Sequence, residues 1–424
     1  MPAFILRYWR PFSHFAFWAG CVAMALGLTW SPTLVTVGHA VMGGGALIFA
    51  FGNRWRFRHR VALWLWVALG VWCWLSLALR CPDWSHFAER WRISLLLITL
   101  PLCFMGGPLL SSRQLQWIVG AFIASVAVVT VATTIRYALN AEYYDTMLFR
   151  AQGIPFVGKR SHIYVSLMLA MAILFSCWLA LQLNGWVRGA LWAVGALLFV
   201  CMHIVGARTG LLAFYAGACM LGLFYAVHTR RWIHLSLGAA GIIGIVLGFY
   251  QVSASFRHRL QNTWGDYQYL EQGASLDHSS VALRLVTWRT TLQLMAERPL
   301  TGAGSLCDMK AALQEGFARS GYNLNPDKIL TEPHNQYLAY GLAGGYPVLV
   351  LFLVALAAPV VTLRWQLPWV FWGFWGAVLG ALLTESFLQR QLGATVILLF
   401  WGLWVCWPQA VAEADTGKEP IAEQ

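Results

Sequence analysis

The sequence predicts an all-α polytopic membrane protein with about twelve transmembrane helices, and composition predicts it before any motif does. Hydrophobic residues make up 59% of the chain and charged residues only 11%, with a mean hydropathy of +0.61. A soluble domain carries nearer a quarter charged residues. The second observation is the recurrence of long apolar runs. A helix crossing a hydrocarbon core about 30 Å thick needs roughly 20 apolar residues, and such runs fall at approximately 12–30, 33–51, 61–79, 93–110, 115–135, 162–182, 187–205, 210–227, 232–252, 335–360, 369–384 and 391–408.

The first run follows Arg10 and continues as a span, without the short apolar core and cleavage pattern of a secretion leader. The second, 33–51, is the weakest as a helix, because Gly43, Gly44 and Gly45 interrupt it and His39 lies inside it. Charge orients the bundle. The connections "NRWRFRHR" (Asn53 to Arg60), "HTRRWIH" (His228 to His234) and "TLRWQLP" (Thr362 to Pro368) hold no acidic residue, so they belong on the cytoplasmic side together with both termini. Several cations nevertheless fall on the outer side: Arg80, Arg90 and Arg92; Arg136, Arg150, Lys159 and Arg160; and Arg208. An anionic ligand there would account for them, and so, for about half, would snorkelling to the lipid interface. Trp84, Trp91 and Trp264 are candidates to stack on sugars, against the ordinary aromatic belt of a membrane protein.

These readings divide the chain into a nine-helix membrane region (1–252), a large outer loop (253–333), a three-helix membrane region (334–410) and a polar cytoplasmic tail (411–424). Within the loop, Ser279 or Ser280 can cap a helix whose apolar positions Val281, Leu285, Leu292 and Met295 recur at helical spacing, and Pro299, Gly302 and Gly304 end it. Arg284 and Trp288, four apart, share one face of that helix. Nine cysteines show no metal-ligand spacing; only Cys81 and Cys307 lie in polar stretches, and their pairing is left open. The outer carboxylates form no D-x-D and no acidic cluster along the sequence, so no metal and no cofactor is expected.

Three places carry chemical potential. In "VGARTG" (Val205 to Gly210), Arg208 stands in a tight turn at membrane depth, where Thr209 can cap the next helix; it is a functional candidate by default, with a snorkelling or helix-capping role as its alternative. Arg284 on the loop helix is the second, with a solvated charge as its alternative. The third is His334 in "EPHNQY", where Pro333 ends the loop and begins a helix, and Glu332 and Asn335 are placed to fix the imidazole or orient a substrate hydroxyl.

Taken in order, A-R-T-G around Arg208, R-x-x-x-W at Arg284 and Trp288, P-L-x-G-x-G from Pro299 to Gly304, H-N-x-Y-L from His334 to Leu338, and "TESFLQRQLG" from Thr384 resemble the O-antigen ligase/polymerase superfamily. The resemblance covers about residues 200 to 400. It implies a GT-C-like, multi-span glycosyltransferase in a Gram-negative inner membrane, with a helical periplasmic loop over its site. The reaction implied moves O-antigen from an undecaprenyl diphosphate donor onto a sugar hydroxyl of a lipid A-core acceptor. No nucleic acid enters, and membrane lipids are the remaining partners. By the same resemblance Arg208 and Arg284 meet the diphosphate and His334 serves the acceptor. Arg136, Arg150, Lys159, Arg160, Arg289, Trp288, Glu332, Asn335 and Tyr337 are the further candidates for holding donor or acceptor.

Physical chemistry is consistent with those roles. Negative charge grows on the leaving diphosphate, and in the absence of a carboxylate-held metal two guanidiniums forking onto phosphate can stabilise it. A histidine, titrating near neutrality, suits removal of the acceptor proton. No nucleophile paired with a base suggests a double displacement, so an inverting, metal-independent transfer is expected. An O-antigen polymerase, a protein O-oligosaccharyltransferase and, from a different class, a lipid-linked glycan flippase or transporter are the competing readings.

Overall fold

In a computed structural model the described residues are 3–53, 60–81, 84–149, 154–157, 161–205, 208–252, 280–322 and 329–416, with single positions at 257, 261, 264, 265, 268 and 325. Among them the chain is almost wholly helical and contains no β-strand. The helices run α1 (Ala3–Trp30), α2 (Pro32–Gly52), α3 (Val61–Arg80), α4 (Trp84–Gly106), α5 (Ser112–Leu139), α6 (Ala141–Phe149), α7 (His162–Gln182), α8 (Gly185–Val205), α9 (Arg208–Thr229) and α10 (Trp232–Val252). Two more, α11 (Ser280–Glu297) and α12 (Met309–Ser320), belong to the polar segment, and α13 (Gln336–Leu363), α14 (Trp369–Thr384) and α15 (Gln391–Thr416) close the chain.

Every expected apolar stretch falls on a helix. Nine of the described helices are long and apolar enough by length and composition to cross a membrane, and α14 and the Gln391–Trp407 part of α15 are shorter apolar helices. The other stretch lies on α4, whose first half carries Glu89, Arg90 and Arg92 before it turns apolar. The protein is a multi-pass membrane protein. Arg54, Arg56, Arg58, Arg150, Lys159, Arg160 and Lys418 lie outside the described residues.

Close packing explains why α2 is continuous where its glycines suggested weakness. Ser31 caps it, accepting from the Leu34 amide at 3.4 Å, and Pro32 opens its first turn. A Cβ at Gly20 would come within 2.6 Å of the Gly38 carbonyl oxygen, and one at Gly45 within 2.6 Å of the Phe17 nitrogen. Small residues therefore let α1 and α2 lie backbone to backbone, as membrane helices do when van der Waals contact drives their association. The same device joins α9 to α14, where a Cβ at Gly217 would meet the Gly373 oxygen at 2.6 Å and one at Gly376 the Ala216 oxygen at 2.7 Å.

One expected span is interrupted. Within α13, Gly345 takes φ 71° and ψ −170°, which breaks the helix just before Pro347. The freed carbonyls of Leu342 and Ala343 accept from the amides of Ala303 (2.6 Å) and Gly304 (2.9 Å), and the Tyr346 amide donates to the Pro299 carbonyl at 2.8 Å. The P-L-x-G-x-G segment is thus the patch that satisfies a broken helix, as backbone near a membrane requires. Its glycine pattern follows from close approach: a Cβ at Gly302 would sit 2.3 Å from the Leu342 oxygen.

The loop helix α11 buries a different face from the one its apolar spacing suggested. Ala282, Val286, Thr287, Thr290, Thr291, Leu294 and Met295 are buried, while Leu292 is half exposed. Small and hydroxylated residues line the buried side because α11 packs tightly on α12 and α13; a Cβ at Gly316 would meet Thr290 Cγ2 at 2.5 Å. Ser280 is already inside the helix, and Ser279 lies outside the described residues. After the patch, Cys307 forms a disulfide with Cys81 at the end of α3, across a Cα–Cα distance of 5.7 Å.

Gly302→Val should lower the thermal unfolding midpoint in detergent, since it adds a left-handed strain of about 1–3 kcal/mol to an overlap with Leu342. In intact protein, a thiol reagent should modify Cys81 and Cys307 only after reduction, as read by peptide mass mapping.

Candidate functional site

His334 stands immediately before α13, in backbone conformation φ 49°. A non-glycine residue in this region costs of order 1–3 kcal/mol and persists only where its surroundings impose it. The surroundings here are specific. Trp288 of α11 donates its indole N–H to the Pro333 carbonyl at 2.8 Å, and the Asn335 side chain accepts from the Leu338 amide at 3.1 Å as the N-cap of α13. Asn335 therefore serves the helix rather than the imidazole, and the helix begins at Gln336 rather than at Pro333.

The partner of His334 comes from the break between α14 and α15. Glu385 caps α14, with its amide bonded to the Ala381 carbonyl. Its Oε1 lies 2.7 Å from His334 Nδ1 and also accepts from the Ser386 amide at 3.2 Å; its Oε2 lies 3.6 Å from Arg284 Nη2. Burial by itself would raise the Glu385 carboxyl, but the hydrogen bond and charge of His334, then Arg284 and the Ser386 N–H, hold it below the usual carboxylate range. Arg284 is pulled down by burial and up by Glu385, although a guanidinium keeps its charge throughout the physiological range.

A second buried carboxylate flanks the histidine. Glu332 faces Arg390 Nη2 at 3.6 Å and Arg90 Nη1 at 4.0 Å, and Arg90 also donates to the Gln389 side chain. Here burial prevails over Arg90, His334 and Arg390, and the Glu332 carboxyl is raised. The sequence showed no acidic cluster because the two glutamates are far apart in the chain; the fold makes one. The donor atoms of Glu332, His334 and Glu385 lie within 4.8 Å of one another, close enough to be considered for a cation. Three guanidiniums already face those carboxylates, and a divalent ion would have to share the oxygens with them.

Arg208 begins α9. The antiparallel pairing of α9 with α14 puts Leu212 beside Gly380, so Arg208 and Glu385 each lie about one helical turn further toward the same end. Gly210 backs onto Ser166 of α7, and Tyr164, two residues earlier, packs its ring on Phe387. Thr209 lies buried inside the first turn of α9. The remaining candidates are held elsewhere. Arg136 donates to the Pro155 carbonyl and lies over the Tyr144 ring at 5.6 Å, and the Tyr337 hydroxyl bonds the Leu379 carbonyl at 3.2 Å. Arg289 is exposed on the outer face of α11. Trp91 stacks on Phe87 and Trp264 is exposed.

The imidazole thus has one nitrogen fixed by a buried anion and a quarter of its side chain exposed. Such a pairing directs the proton to Nδ1 and leaves Nε2 as an acceptor. Glu385, Arg390 and Gln389 escaped the reading of site residues, although all three sit within the quoted "TESFLQRQLG". In comparison with known families, residues 193–353 match the family model described as O-antigen ligase. That stretch includes Arg208, Arg284 and His334, and ends before Glu385. No curated protein matches the chain.

Because its pKa is depressed by folding, Glu385 contributes stability that is complete above the ordinary carboxylate range and is lost as pH falls through its lowered value. Wild-type protein should therefore lose thermal stability below about pH 4, and Glu385→Gln should flatten that acid-side fall in a scan of unfolding midpoint against pH.

Proposed function

We propose, from the match of residues 193–353 to the O-antigen ligase family model, that the protein is an inverting glycosyltransferase that moves a glycan from undecaprenyl diphosphate onto a sugar hydroxyl of lipid A-core. The observation that carries this reading is the convergence of His334, Glu385 and Arg284 at the end of the bundle where Arg208 also stands. The acceptor hydroxyl gives its proton to His334 Nε2, and Glu385 stabilises the imidazolium that forms. The hydroxyl oxygen bonds to the anomeric carbon as the bond from that carbon to the diphosphate oxygen breaks. Arg208 and Arg284 meet the charge arriving on the diphosphate. Arg284 holds Glu385 only by a 3.6 Å ion pair, so it can turn toward phosphate without giving up a hydrogen bond.

Direct arginine pairing of both carboxylates supports a reaction that needs no metal. The Cys81–Cys307 disulfide supports a periplasmic site in a Gram-negative inner membrane, because such bonds persist in oxidising compartments. Both cysteines belong to the end of the chain path that carries His334.

Purified protein mixed with lipid-linked O-antigen and lipid A-core should yield the joined product without any ion gradient and in excess EDTA. A strict requirement for Mg²⁺ or Mn²⁺ would remove the arginine mechanism, and a product extended on the lipid-linked donor would make the protein a polymerase. His334→Ala should reduce product at least about 100-fold while donor binding persists. Arg284→Ala should weaken donor binding, with Arg284→Lys recovering part of it, as measured by donor titration.

A further inference from the structure

A groove of about 610 Å³ lies between α2 and α4, beside the start of α15. Its floor is apolar, with Val35, Ile93 and Leu96 all buried. Two cations, Arg92 and Arg390, stand among its lining residues, and that lining contains no carboxylate. One wall is tied shut by Gln391, whose side-chain amide donates to Thr36 at 3.0 Å. Thr99, seven residues beyond Arg92 on α4, also lines the groove, so the apolar part reaches about 10 Å along the helix from the charge. A guanidinium pair above an apolar trench in a membrane protein suits an amphiphile with a phosphate at its head and acyl chains below.

Arg390 belongs to the groove and to Glu332 at once, so the groove meets the His334 corner through one ion pair. Arg284 and Arg208 approach that corner from other helices, α11 and α9. An in-line displacement needs the leaving diphosphate and the attacking hydroxyl on opposite sides of the anomeric carbon. We infer that the α2–α4 groove, with Arg92 and Arg390 at its mouth, binds the phosphorylated lipid portion of the acceptor; this rests on the transfer reaction proposed above. The donor then enters from the α9 and α11 side, and the two lipids meet at His334 without sharing a channel.

Lipid A binding to the purified protein, read by native mass spectrometry against dephosphorylated lipid A and phosphatidylethanolamine, tests the groove independently of catalysis. Arg92 is exposed and outside the catalytic corner, so its substitution leaves folding intact. Arg92→Glu should lose at least about tenfold in lipid A affinity and none for the dephosphorylated lipid. Thr99→Trp should block both. In the transfer assay Arg92→Ala should raise the acceptor KM about tenfold with kcat and donor KM unchanged. Unaltered lipid A binding in both Arg92→Glu and Thr99→Trp overturns the inference, as does a rise in donor KM instead, which would assign the groove to the donor. If Arg92→Glu loses lipid A but wild-type protein makes no joined product, the groove stands and the transfer reaction falls.

Discussion

The arrangement depends on keeping two carboxylates charged or accommodated where little water reaches. Glu332 and Glu385 are each about 2% exposed, and an isolated buried carboxylate would simply take up a proton. The chain meets this with charges drawn from separate regions: Arg90 from α4, Arg284 from α11, Arg390 from the turn before α15, and the imidazole between them. No one of these segments can move without uncovering a buried charge. That requirement adds to the apolar contacts of α11, the backbone patch and the disulfide in fixing how the loop sits on the bundle.

The two glutamates respond differently to the same confinement. Glu385 has a hydrogen-bonded imidazole and its own backbone neighbour, and its ionised form wins; Glu332 has only longer ion pairs, and burial wins. The result is one firm anion behind the histidine and one carboxyl whose charge depends on the arginines around it. A base needs the first of these.

Much of the fold was legible in the chain because apolar length is a direct requirement of the bilayer. The helical pair Arg284 and Trp288 was legible for a similar reason: spacing of four puts both on one face, and both reach the His334 corner. Glu385 was not legible as the partner of His334, since 51 positions separate them and only the antiparallel packing of α14 brings them together. The break in α13 was equally hidden, because Gly344, Gly345 and Pro347 lie inside a continuous apolar run. What distinguishes this one is a partner strand of backbone, Pro299 to Gly304, that lies far upstream. The buried face of α11 was not legible from apolar spacing because hydroxyl side chains, not large apolar ones, fill much of a tight helix contact.

The disulfide carries a consequence for biogenesis. Its cysteines are 226 residues apart, so at roughly 5–20 residues per second of synthesis the Cys81 thiol waits some 10–45 s for its mate. During that interval the helices from α4 to α10 enter the bilayer, and the mate arrives only with the segment that patches α13. Closure of this bond therefore reports that assembly has reached its last third, and any premature capture of Cys81 by another thiol would leave the patch untethered.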